Sequence, residues 1–306
     1  MSSANRPLLA MALRLGAVAV LATLTMAVKY TVDSGVAFAE ALFWRQVATV
    51  PILLGWLALR GEVSRLKTRR LPAHFRRALM GTVGMGFTFG APVLLPLAEA
   101  TTLGFTTPIF AVIFSALLLG EKVGPYRWVA VVLGFAGVLV IARPDGNLPL
   151  VGSLVGLGAG VMVALISIQV RDLTRTDEPL SIVFWFAALS TPVLALGLPF
   201  VAAAHTPQQW VLLGALGILG CVGQLLLTAS LRFGQVSSVI VMDYTALAWA
   251  TFYGWTIWGE VPRGATWLGA PLILAAGLVI VWREHRLGRA EKLGRTSAGT
   301  LPSEAS

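Results

Sequence analysis

Polar positions along this chain are few and gathered into clusters. Between them run stretches of about 20 apolar residues, the length a helix rising 1.5 Å per residue needs to cross a hydrocarbon core about 30 Å thick. Ten such stretches are expected: 8–28, 38–59, 78–98, 102–120, 126–142, 149–170, 180–202, 209–230, 235–258 and 265–282. They are apolar nearly all round, so helical amphipathicity marks them poorly. The joints mark them better: Gly61-Glu62, Asp177-Glu178-Pro179, Thr206-Pro207-Gln208 and the runs 143–147 and 260–264 carry turn chemistry, several with Pro at the first helical position. The first stretch reads as a span and not as a signal peptide. Arg14 interrupts it, and the box Ala37-Phe38-Ala39 lies past its end.

Composition narrows the class. Of 306 residues, 57% are hydrophobic and 12% charged, against roughly 25% charged in an average soluble domain. So few charges exclude a cytosolic enzyme, a disulfide-stapled secreted domain and a disordered chain. A single cysteine, Cys221, excludes an intramolecular disulfide or a CxxC pair. The net charge of +9 is unevenly distributed. With the N-terminus inside, 18 of the 23 basic residues fall in inner segments and three (Lys29, Arg143, Arg263) in outer ones, while Arg14 and Arg45 lie within spans. This positive-inside bias predicts cytoplasmic termini and a lipid bilayer, not nucleic acid, as partner. The polar tail 284–306 is expected to be disordered, and the alanine- and arginine-rich vocabulary suits a bacterial inner membrane.

The chain repeats itself. Residues 43–51 read FWRQVATVP and 184–192 read FWFAALSTP; 105–121 begin with an aromatic-Thr pair and end in Gly-Glu, as do 244–260; GVLVIAR at 137–143 matches GLVIVWR at 277–283. Two copies follow, 8–142 and 149–283, each of five spans. Five is odd, so the copies enter the membrane from opposite sides. The expected fold is all-α and integral to the membrane, with ten transmembrane helices as two inverted five-helix repeats, a construction behind many secondary transporters.

The stretches PLAEATTLGFTTPIFAVIFSALLLGEKVGPYRWVAVVLGFAGVLVIARP (96–144) and GQLLLTASLRFGQVSSVIVMDYTALAWATFYGWTIWGEVP (223–262) resemble the EamA-type drug/metabolite transporter superfamily. The resemblance extends over about residues 8–283. It rests on the Gly-Glu ends of spans 4 and 9, the Pro-x-Phe of span 4 and the arginine of span 2. It implies ten helices, cytoplasmic termini and movement of a small metabolite, without naming which. The second half departs from the first, with Asp243-Tyr244-Thr245-Ala246-Leu247 where the first half has Pro108.

Ionisable groups inside spans are costly and need an explanation. Asp243 lies ~12 Å from the cytoplasmic edge of span 9, placed to bind a cationic group, to carry a coupling proton, or to hold helices together. Arg14 lies ~9 Å from the same face and either snorkels to headgroups or pairs with Asp243. Arg45, ~10 Å from the outer face in span 2, is a packing anchor or attracts anions at the outer mouth, with Glu40 and Glu99 near enough to neutralise it. Glu121 and Glu260 end spans 4 and 9, where each serves the following helix or a gate. Gln224 sits near the depth of Asp243. Thr102 and Thr106 share a helix face, and Tyr30, Trp44, Phe105, Tyr244 and Trp249 are candidate cavity walls. The candidate substrate-binding set is therefore Asp243, Tyr244, Gln224, Trp249, Thr102, Thr106 and Arg14, and the candidate gating set Arg45, Glu121 and Glu260.

No cofactor or metal is expected. The three histidines lie in loops or the tail, there is no HExxH, GxSxG or P-loop, and an intramembrane enzyme, like a channel or receptor, is the weaker alternative to a carrier. Proton coupling and exchange both stay open, as does a homodimeric state. The charge distribution makes one direct prediction: cysteine labels placed at residues 3 and 300 of right-side-out vesicles both react only after permeabilisation. Reaction of one end in sealed vesicles contradicts the topology.

Overall fold

The computed structural model describes residues 7–119, 124–141, 149–173, 176–233 and 240–298. Every regular element among them is helical: α1 (Pro7–Asp33), α2 (Phe38–Val47), α3 (Thr49–Leu59), α4 (Leu71–Leu94), α5 (Leu97–Gly104), α6 (Thr107–Leu119), α7 (Pro125–Ile141), α8 (Leu150–Leu173), α9 (Pro179–Ala195), α10 (Leu198–Val201), α11 (Pro207–Phe233), α12 (Ala246–Trp258) and α13 (Gly264–Ala298), with 3-10 segments at Val63–Leu66 and Ile240–Thr245. Among the described residues, five helical stretches are long and apolar enough to cross a membrane: Leu8–Asp33, Phe38–Leu59, Leu97–Phe114, Leu150–Val170 and Pro207–Leu227. Three apolar helices are shorter, Trp128–Ile141, Pro179–Ala195 and Gly264–Ile280.

Proline explains most of the fragmentation. Pro51 has no N–H to give the Val47 carbonyl, and the stretch expected as 38–59 divides at Ala48 into α2 and α3. The expected boundary between 78–98 and 102–120 is displaced. Leu95, restricted by the proline that follows it, is extended at φ −130°, ψ 160°. The break therefore falls at 95–96, and Glu99, expected in the joint between the two spans, lies in the first turn of the next helix. At its other end α4 begins at Leu71 with Pro72 in its first turn. Arg76 and Arg77, counted above among loop residues, are thus on the helix. The last helix runs through Ala298, into the segment expected as a disordered tail.

Glycine decides how closely the helices pack. On α8, Gly152, Gly156 and Gly160 face Leu95, Leu103 and Thr106, so that the α4–α6 segment seats on the bare backbone. On α4, Gly84 meets Met162 and Ile166 of α8. On α11, Gly217 meets Trp44 and Ala48, Gly220 meets Arg45, and Gly223 meets Val20 and Leu21. As a result α1 lies along α11, α4 along α8, α7 along α13, and α2 against α9 and α11. Buried apolar clusters fill the seams, one built on Leu24, Val28, Phe89 and Leu216, another on Leu95, Leu103, Val138 and Ile273.

Polar ties join the connections at one end of the bundle. Arg65 bridges Glu62 at 2.7 Å and Glu178 at 2.8 Å, and these hydrogen bonds, Glu62 first, hold its guanidinium above its ordinary pKa. Burial pushes the Asp177 carboxyl up, but hydrogen bonds from Thr68, Thr176 and His74 outweigh it and leave the group below the usual carboxylate value.

The α7–α13 contact sets backbone against backbone. A Cβ at Gly137 would stand 2.8 Å from the Gly269 carbonyl oxygen, which is backbone and cannot turn aside. Gly137→Ala is expected to lower stability by about 1–3 kcal/mol in thermal unfolding of the purified protein. Gly214→Ala, at a helical site with nothing within 4 Å, is expected to be neutral or stabilising by up to about 1 kcal/mol.

Candidate functional site

Two irregular segments meet at the centre of the site. Between α5 and α6 the helix loosens because Pro108 cannot donate to the Gly104 carbonyl; the Thr107 hydroxyl donates to it instead at 2.8 Å. The Phe105 amide is shared between the carbonyls of Thr101 and Thr102, at 3.2 and 3.1 Å, which tightens the turn. Before α12 the chain is a 3-10 segment, Ile240–Thr245, closed by the Thr245 hydroxyl donating to the Met242 carbonyl at 2.7 Å. Phe105 and Tyr244 each open one of the matched aromatic-Thr pairs in the sequence, and their rings meet edge to face at 5.2 Å.

Around this contact lies a cavity of about 380 Å³, within the range of small-molecule sites. Its walls come from α1, α4, α5, α6, α8, α11, the second 3-10 segment and α12. These correspond to expected spans 1, 3 and 4 of the first copy and 6, 8 and 9 of the second. Most of the lining is apolar or hydroxylic: Val18, Leu21, Pro92, Ala159, Val163 and Leu227 with Thr25, Thr88, Thr101 and Thr107.

Charge enters only as a pair. Arg14 Nε donates to Asp243 Oδ1 at 2.6 Å and Nη2 to Oδ2 at 2.5 Å, a fork against a fork across 229 residues of chain. The Arg14 side chain is 10% exposed and that of Asp243 35%. A guanidinium and a carboxylate removed from water are tolerable together because each supplies the counter-charge and hydrogen bonds the other needs. The pair leaves the cavity wall polar but neutral overall, and among the described residues no metal-binding cluster adds to it.

The candidate residues separate into those at the cavity and those away from it. Asp243, Tyr244 and Arg14 line it, as do Phe105 and Pro108. Thr102 and Thr106 are buried off the cavity, their hydroxyls returned to the carbonyls of Ala98 and Leu103. Trp249 is half-exposed on the outside of α12, stacked on Tyr253. Tyr30 is half-exposed against Trp258, and Trp44 packs on Trp210. Gln224 borders a separate small void with Arg45. Glu121 lies outside the described residues.

Arg45 is not at an open mouth and neither expected carboxylate neutralises it. It is buried, with Nη1 on the Gln46 amide oxygen at 2.9 Å and its guanidinium over the Phe89 ring. Glu40 is held instead by His205 at 2.7 Å. Glu99 accepts from the Arg263 amide at 3.2 Å and the Thr266 hydroxyl at 3.1 Å. Spacing along the sequence brought these groups to one membrane depth, but each carboxylate had a nearer donor on a neighbouring element.

Lys29 was counted as a loop residue, yet it is buried in the last turns of α1. It donates to the Leu95 carbonyl at 3.1 Å, faces Glu260 at 3.3 Å and lies over Trp258. Thr25, one helical turn earlier, lines the cavity. The Lys29 tie therefore crosses directly beyond the cavity's end. A lysine six residues before Gly-Val-Ala carried no signal that distinguished it from a loop cation.

Residues 8–143 and 150–282 each match the model of the EamA-like transporter family. The chain is 31% identical to a riboflavin transporter of Vibrio cholerae, over 79% of this chain and 82% of that one. It is 31% identical to a pseudopaline exporter of Pseudomonas aeruginosa, over 79% and 85%, and 27% identical to an S-adenosylmethionine uptake transporter of Rickettsia bellii, over 81% and 84%. A solved crystal structure, 23% identical, superimposes with a TM-score of 0.62 over 91% of this chain and 98% of the other, which is a likeness of fold.

The bidentate pair predicts the outcome of a charge exchange. Arg14→Asp and Asp243→Arg singly leave like charges facing one another and are expected to abolish transport. The double exchange, Arg14→Asp with Asp243→Arg, is expected to recover a measurable fraction of it at equal membrane abundance. A double variant as inactive as both singles means that the two side chains have separate duties.

Proposed function

Because the chain belongs to the EamA-like transporter family, we propose that it is a secondary carrier of one small metabolite, working by alternating access from the cavity around Arg14, Asp243, Phe105 and Tyr244. Two family matches of similar length within one chain support the reading of two five-span copies and ten crossings. The packing has the corresponding exchange symmetry: α1 lies along α11 as α8 lies along α4, and α7 lies along its own counterpart α13. Inversion supplies the mechanism. If one copy opens the cavity inward, the other adopting the same shape opens it outward. The positive-inside bias puts both termini in the cytoplasm and the Lys29–Glu260 tie on the outer side. The form described here is then closed outside, with Glu260 as a gating residue. The bacterial relatives favour an inner-membrane location.

The observation that carries the substrate reading is the neutral ion pair set in an apolar cavity wall. Such a site gives no net attraction to a cation or anion, and favours a metabolite that is neutral or zwitterionic overall. The edge-to-face rings of Phe105 and Tyr244 offer a wall for a flat apolar part, while Arg14 and Asp243 meet polar groups. Riboflavin, carried by relatives according to their names, fits this description. Asp243, the more exposed partner, is the group a proton or a substrate reaches first.

Purified protein in liposomes is the direct test. Riboflavin is expected to raise the unfolding midpoint and to show saturable counterflow, and Asp243→Asn to abolish accumulation driven by a pH gradient while inserting normally. Unsaturable conductance points to a channel instead. Stabilisation by S-adenosylmethionine but not riboflavin moves the substrate to a cationic class, and undiminished accumulation by Asp243→Asn removes that residue from coupling.

A further inference from the structure

Two neighbouring arginines hold enclosed guanidinium N–H groups with no carboxylate to meet them. Arg45 on α2 is 4% exposed. Arg77 on α4 is half-buried as a residue, with its Nε and Nη1 shut off from solvent, and it lies near enough to Arg45 for the two like charges to repel. Among the described residues no Asp or Glu oxygen lies within 4.0 Å of either, since Glu40 is engaged by His205 and Glu99 by the Arg263 amide and Thr266. Arg45 Nε, Arg77 Nε and Arg77 Nη1 have no hydrogen-bond partner. Each guanidinium lies over an aromatic face, Arg45 on Phe89 at 4.8 Å and Arg77 on Phe186 at 4.3 Å. A ring face offsets part of the lost hydration, but it neither accepts the in-plane N–H groups nor cancels two like charges.

Beside Arg45 is a void of about 10 Å³, room for one particle about the size of a water molecule. Arg45, Gln46, Thr49, Phe186, Gly220 and Gln224 border it. The Gln46 amide oxygen is already occupied by Arg45, which leaves that amide its N–H donors. The Thr49 hydroxyl and the Gln224 amide are further donors. Phe186 links the two arginines, bordering the void on one side and carrying Arg77 on the other. A water molecule there would satisfy one N–H and leave the double positive charge as it was. A single monatomic anion would do both, drawing N–H groups to itself and supplying the missing negative charge.

We propose that this void is a binding site for one chloride-sized monoanion, held directly by Arg45 with the amides of Gln46 and Gln224, and by Arg77 through its charge. The site is distinct from the substrate cavity, whose walls include neither arginine nor Gln224. It joins α2, α4, α9 and α11, and so acts as a structural ion between the two copies.

The test uses the full-length purified protein, exchanged from chloride into gluconate at constant ionic strength. Adding sodium chloride or bromide back is expected to raise the thermal unfolding midpoint along a saturating curve, where sodium gluconate does not. Crystals grown in bromide are expected to show an anomalous peak within hydrogen-bonding distance of Arg45. Gln224→Leu, which removes a donor without adding charge, is expected to shift the curve to higher halide concentration. Equal midpoints in chloride and gluconate overturn the site, as does a bromide crystal with no peak in this void. Should Gln224→Leu fail to fold, the wild-type titration and the anomalous map decide the matter alone.

Discussion

Nothing in the interior is as exacting as the meeting of Arg14 with Asp243. A buried charge left alone costs several kcal/mol, and Arg14, with its side chain 10% exposed, has that charge met by Asp243. The guanidinium fork accepts a carboxylate in one plane and at one spacing. That requirement fixes the 3-10 segment 240–245 against the first helix, and with it the position of Tyr244 over Phe105. The cavity is in this sense the space left when one ion pair has been satisfied.

The surrounding helices achieve their contacts by omission. A bilayer gives apolar side chains little reason to prefer each other to lipid, so association relies on close backbone approach. Glycines on α8, α4 and α11 provide it. Large side chains from the facing helix fill the gaps, as Leu95 and Leu103 do on α8. Breaks in the helices are repaired locally. Where Pro108 strands the Gly104 carbonyl, a neighbouring threonine hydroxyl takes it up.

Much of this was legible in the residues. Apolar length, turn chemistry and the internal repeat marked the elements, and the matched aromatic-Thr positions 105 and 244 marked the two irregular segments that meet. Equal depth offered the Arg14–Asp243 pairing beside a snorkelling alternative, and the structure has the pair. Depth failed for Arg45, whose neighbours Glu40 and Glu99 found His205, Thr266 and a backbone amide on other elements. Spacing along one helix gives height but not azimuth, and azimuth decides partners. The same ignorance put Trp249 and Thr102 at the cavity when one points outward and the other bonds its own helix. Arg77 and Lys29 were hidden for a different reason: helix ends are set by caps and prolines, and a cation one or two turns inside an end looks like one the same distance outside it.

The partner chosen by Lys29 has a mechanical meaning. Its ammonium holds the Leu95 carbonyl as well as the Glu260 carboxylate, and Leu95 is the extended residue at the joint between α4 and α5. Neutralising Glu260 would thus leave one strand of the fastening intact. Withdrawal of the one ammonium would free both groups at once, because a single side chain ties the carboxylate and the α4–α5 joint to α1.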